Sequence, residues 1–165
     1  EAARASALRA TRELPAAAPF VDGLLAYARK EYATAVPLLE KALDAVEGRS
    51  PRTLPRVHYL LGSALAEESV RVSDEASRTR LRQEAERNLR VELALEPTNA
   101  GAVVALCRVH ALADAPESFR RDLEAFARGN PTPATFRLAE TLFGQAGLKE
   151  DATRWGLRAR VSAAR

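Results

Sequence analysis

The sequence predicts an all-α fold of stacked helical hairpins, and three observations carry that expectation. Apolar and small residues recur every three or four positions along most of the chain, which is a helical period. Alanine and leucine carry an apolar content of 47% while aromatics supply only 5%, a balance suited to close-packed helices. Short polar breaks with Pro or Gly fall between the periodic stretches. No β-branched run alternates with Gly-rich turns, so no strand is predicted.

The clearest stretch is GLLAYARKEYATAVPLLEKAL, from Gly23 to Leu43. It reads as two amphipathic helices joined by the polar break ARKEY, an αα-hairpin. In its second helix Ala35, Leu39, Ala42 and Leu43 share a face, and the two alanines allow the backbones to come close. Upstream, residues 1–14 read as one helix with Ala3, Ala7 and Ala10 on one side, stopped by Pro15. That spacing matches a second helix whose first is missing. The chain also holds no methionine, and both features predict a piece cut from a longer array.

After Leu43 the segment EGRSPRTLP is a loop, with two prolines and a glycine. A helix begins near Arg56 and carries Tyr59, Leu61, Gly62 and Leu65. The stretch from Glu67 to Gln83 is polar and Arg-rich, and Ser73-Asp74-Glu75 offers an N-cap. The pattern then runs to Leu95, so the second hairpin has longer arms or an extra turn. Asn99 caps the third unit, Pro116 opens its second helix, and Gly129-Asn130-Pro131 closes it. The fourth starts at Thr132 or Thr135, turns between Gly144 and Gly147, and ends in a helix with Trp155. The expected organisation is a single array over residues 1–165: an orphan helix at 1–15 and repeats near 18–48, 55–97, 99–131 and 132–165, about nine helices in all.

Pro97 and Pro131 stand 34 residues apart, each just after a second helix. First helices place His58, Leu61, Gly62 and Leu65, then Val103, Leu106, Cys107 and His110, then Phe136, Ala139, Glu140 and Phe143 at common spacing. Second helices place Ala35/Leu39/Ala42, Ala85/Leu89/Glu92, Phe119/Leu123/Phe126 and Ala152/Gly156/Ala159. A helix-turn-helix period of this length resembles the tetratricopeptide repeat (TPR). The first hairpin fits in two registers, one through Gly23 and one through Phe20 and Tyr27. The resemblance implies a right-handed αα-superhelix whose first helices line a concave, peptide-receiving groove. It further implies that Tyr59, Ser63 and Glu67 face Arg108, Arg137 and Thr141, giving a groove with an apolar, aromatic N-terminal half (Tyr27 or Phe20, Leu24, Tyr59) and a basic C-terminal half. The carboxylate clamp of the co-chaperone members is absent, because its lysine, asparagine and arginine places hold Tyr59, Ser63, Ala66 and Glu67, then Val104, Arg108, Ala111 and Leu112.

Catalytic chemistry is not visible in the sequence. His58 and His110 fall at aromatic packing places, with no Asp, Glu or Cys at metal-ligand spacing. The carboxylate pairs Glu67-Glu68 and Glu84/Glu86 do not face each other on a helix. Cys107 is the single cysteine, excludes an intrachain disulfide, and reads as a buried thiol. Phosphate loops and nucleophile elbows are missing. The net charge is only +3, and Arg78, Arg80, Arg82, Arg87 and Arg90 are interleaved with glutamates, which reads as a solvated helix more than a nucleic-acid face.

The expected function is therefore a non-catalytic scaffold or adaptor that binds a protein or peptide segment, with no cofactor, metal or nucleic acid. The alternative is an accessory domain of a longer enzyme, or of a bacterial secretion or envelope assembly, flanked by further repeats or domains. The arginine-rich arm at Arg78–Arg90 is the competing contact surface. The alanine- and arginine-rich composition suggests a bacterium. No apolar run spans a bilayer, and cytoplasmic and periplasmic placement both stay open.

Overall fold

A computed structural model describes residues 17–46, 54 and 56–164. The expected orphan helix of residues 1–14 and most of the loop after Leu43 lie outside the described residues. Eight helices and no strand occur among them. They are α1 (Ala17–Ala28), α2 (Tyr32–Asp44), α3 (Val57–Arg71), α4 (Glu75–Leu95), α5 (Ala100–Leu112), α6 (Pro116–Gly129), α7 (Pro133–Gln145) and α8 (Lys149–Ala163). Two compact units divide the chain, Glu1–Leu95 and Glu96–Arg165.

In the first unit α1 pairs with α2 and α3 with α4, while α3 also packs on α2 and touches α1. Neighbours on several sides explain why α3 is buried nearly all round, from Leu60 through Ala66. By contrast α4, at 21 residues the longest helix, buries only Ala85, Leu89 and Glu92. The longer arm expected of this hairpin is α4. Its start is capped as the sequence predicts, Asp74 Oδ2 accepting from the Ser77 N–H at 2.8 Å. Those bonds hold the Asp74 carboxyl below its ordinary range.

The second unit repeats the plan. Here α5 pairs with α6 and α7 with α8, α6 packs on α7, and α5 touches α7. Asn99 accepts from the Ala102 N–H at 3.1 Å, so the predicted cap forms, and of the two expected starts of the fourth unit Thr132 is the cap, accepting from the Thr135 N–H at 3.1 Å. Pro116 and Pro133 open α6 and α7, where a missing N–H costs nothing. At the end of α6 the capping falls to a side chain: Asn130 Nδ2 donates to the carbonyls of Phe126 and Pro97 at 3.1 and 2.9 Å.

Three of the four hairpins turn in the same way. Lys30, Asp114 and Gly147 each take a left-handed conformation, at φ 63°, 50° and 76°. The next N–H then reaches back to the carbonyls of Ala26, His110 and Phe143 respectively, each at 2.9 Å, which is the Schellman closure. Only the last of these turns uses glycine, so the shared turn is hard to see in the residues.

The paired helices meet at equivalent places. A Cβ on Gly23 would come within 2.9 Å of Leu39 Cγ, and one on Gly62 within 2.7 Å of Leu89 Cγ and 3.0 Å of the Ala85 carbonyl oxygen. This selects the Gly23 register for the first hairpin. In the fourth hairpin the sizes are exchanged, Glu140 occupying the glycine place of α7 and Gly156 facing it from α8. Cys107 and Leu123 hold the corresponding places of the third hairpin, both buried.

Two outcomes test this packing. Gly62→Ala gains about 1 kcal/mol of helix propensity, but overpacking against Leu89 and a fixed carbonyl costs about 1–3 kcal/mol. Chemical denaturation should therefore show a net loss, whereas Gly156→Ala should be neutral or stabilising because the Glu140 side chain can swing away. Separately, Lys30→Gly should raise stability by about 0.5–1 kcal/mol by relieving a left-handed lysine, read as a higher denaturation midpoint with the slope unchanged.

Candidate functional site

Of the residues named from the sequence in the first unit, Tyr27, Tyr59 and Ser63 stand together. Tyr59 and Ser63 stand one turn apart on α3, and Tyr27 reaches them from the end of α1. Three features fix this corner. The Tyr59 backbone N–H, one of the donors a helix start leaves open, is taken by Glu92 Oε2 of α4 at 3.2 Å. His58 Nδ1 meets Asn88 Oδ1 at 3.0 Å, so two residues one turn apart on α4 grip the start of α3. At the other end of α3, Arg71 Nη1 donates to the Lys30 carbonyl at 3.2 Å and its guanidinium lies 4.7 Å from the centre of the Tyr32 ring. Tyr32 in turn meets Tyr27 edge-on, with ring centres 5.7 Å apart.

Burial pushes the Tyr27 phenol up to about 12, helped by the neighbouring Tyr59. It is thus a neutral donor and acceptor at ordinary pH. Ser63 Oγ is buried and faces this phenol. The corner therefore offers an aromatic wall and uncharged hydroxyls. Glu67 follows one turn beyond Ser63, half-buried and already engaged in an interaction of its own. Leu24 is 40% exposed and Phe20 half-buried on α1.

The remaining expected residues lie in the second unit. Arg108 is exposed on α5 and already engaged. Arg137 and Thr141 are exposed on α7, where Arg137 Nε donates to the Pro133 carbonyl at 3.3 Å and Thr141 Oγ1 to the Arg137 carbonyl at 2.9 Å. The two α7 residues are thus tied to their own helix, one turn apart.

Both histidines have polar partners that spacing did not reveal. His110 Nε2 lies 2.8 Å from Asp122 Oδ2, both groups buried between α5 and α6. Cys107 lies one turn before His110, and burial, with Asp122 adding, pushes its thiol up to about 12. That thiol is a poor nucleophile at ordinary pH. The described residues contain no cluster of three or more metal-ligating side chains and no helix long and apolar enough to cross a membrane.

On the arginine-rich arm, Arg78 and Arg82 pair with Glu75 at 3.3 and 4.0 Å, and Arg90 with Glu86 at 2.8 Å. Sequence reasoning missed Glu92, Asn88 and Asp122. The available signal was polar residues on otherwise apolar stripes, most plainly Glu92 in the series Ala85, Leu89, Glu92.

The Tyr27 environment predicts a two-stage alkaline titration. Its folded value lies above the ordinary 10.0, so the unfolded chain ionises first. Stability tied to the neutral phenol is intact below pH 10.0 and lost as pH climbs towards about 12. Tyrosinate absorbance should rise last for Tyr27, and Tyr27→Phe should remove that last step.

Set against known proteins, the chain matches no family model, no curated protein and no solved structure.

Proposed function

We propose that the chain is a non-catalytic, TPR-like repeat protein whose hairpins stack in a superhelix and whose first helices hold a segment of a partner protein. Support for the repeat comes from equivalent buried places in all four hairpins and from the shared turn at Lys30, Asp114 and Gly147. The observation that carries the binding role is the corner formed by Tyr27, Tyr59 and Ser63. First helices of two successive hairpins there bring together two tyrosines and a serine, an aromatic surface with uncharged hydroxyls. Such a corner suits a peptide with an apolar anchor side chain, whose backbone carbonyl can accept from a hydroxyl. Aromatic anchors supply most of the affinity in interfaces of this kind. The first helices of the second unit, α5 and α7, carry Arg108, Arg137 and Thr141, a basic surface that suits acidic stretches.

The test begins with the partner captured by the whole chain and identified by mass spectrometry. Against that partner, Tyr59→Ala should cost on the order of 2 kcal/mol in calorimetric titration. Arg108→Glu should mainly slow association and weaken its salt dependence. Normal binding by both variants, with loss on changing Arg78 and Arg82, would move the contact to α4 and refute the reading.

A further inference from the structure

We infer that the outer face of α8 docks an amphipathic helix of a partner protein whose apolar stripe is bordered by acidic residues. This surface belongs to the second unit and is separate from the Tyr27–Tyr59–Ser63 corner.

Leu157 and Val161 stand one turn apart on α8 and are 58% and 51% exposed. With Pro131 and Phe136 they line an open pocket of about 400 Å³ at the seam of α7 and α8. Two large aliphatic side chains one turn apart thus form a short apolar ridge beside an open apolar pocket. Beneath it, Trp155 is buried and stacks with Phe136, ring centres 5.6 Å apart. The ridge therefore rests on a rigid base. A seam between two packed helices with an i, i+4 ridge along it is the surface that a third helix fills, ridges into grooves.

Charge selects the occupant. At 100° per residue, Arg158 falls on one side of the Leu157–Val161 stripe and Arg160 on the other. Arg158 lies 4.8 Å from the centre of the Trp155 ring and has no carboxylate partner among the described residues. Arg160 is exposed and likewise has none among them. Elsewhere in the same unit carboxylates are at hand: Arg120 holds Glu117 and Asp151, Arg128 holds Glu124, and Arg154 holds Asp151 and Glu124. The guanidinium groups bordering the ridge, like Arg137 on α7, have no carboxylate partner among the described residues, and an acidic border on the partner would meet them.

Trp155 is the only tryptophan in the sequence, so its emission reports on this face. The probes are two stapled helical peptides with leucines at i, i+4 and i+7, one bordered by glutamates and one by lysines. Titrated into the whole chain, the glutamate peptide should bind about tenfold or more tightly than the lysine peptide, shift Trp155 emission, and weaken with added salt. Leu157→Asp should abolish binding, and Arg158→Glu or Arg160→Glu should narrow or invert the preference, with circular dichroism unchanged because these side chains are exposed. Equal binding of the two peptides would overturn the proposal by showing a generic packing ridge. Unaltered binding by Leu157→Asp would overturn it too. So would self-association in sedimentation that Leu157→Asp abolishes, which would make a second copy the occupant.

Discussion

The contact on which this structure depends is the close approach of the two helices in each hairpin, where a small residue on one receives a larger one from the other. Gly23 against Leu39 and Gly62 against Leu89 leave no room for a Cβ. The fourth hairpin keeps the same contact with sizes exchanged, Gly156 making room for Glu140. Within each unit the two hairpins also pack on one another. In the first unit this puts α3 among α1, α2 and α4, which accounts for its burial on nearly every side.

Covering a helix so fully creates a second constraint, because its backbone donors at the start cannot all reach water. Glu92 answers it for Tyr59, buried to 2% exposure while accepting the backbone N–H. A carboxylate at a helix N-terminus is well placed by both the open donors and the helix dipole. The place it occupies corresponds to Ala42 in the first hairpin and Ala159 in the fourth. A strict repeat would put an alanine there. The departure from the repeat is thus where α4 takes hold of α3 and fixes the side chains that follow, Tyr59 and Ser63. The third hairpin has its own polar insertion at His110 and Asp122, which holds α5 to α6.

The packing leaves some side chains in unusual surroundings. Tyr27 has a phenol kept neutral by burial beside the buried Ser63. Arg158 has a ring to stack on and no carboxylate among the described residues, beside a ridge of exposed aliphatic side chains. Cys107 and His110 are the opposite case. Both are buried and satisfied by the interior, which suits packing and leaves no reactive group.

By itself the sequence determined the helices, their order and most of their ends, because these depend on local chemistry. A period of three to four residues, the caps Asp74, Asn99 and Thr132, and the opening prolines 116 and 133 act within one or two turns and need no tertiary context. Tertiary structure alone decided the rest. The first hairpin's register hung on whether Gly23 meets Leu39, a contact between helices. Lys30 and Asp114 turn left-handed because the hairpin must close there, against their own preference. Glu92, Asn88 and Asp122 looked like solvated polar residues until a neighbouring helix supplied Tyr59, His58 and His110. A charge on a helix is the same letter whether it faces water or a partner, and only packing distinguishes the two.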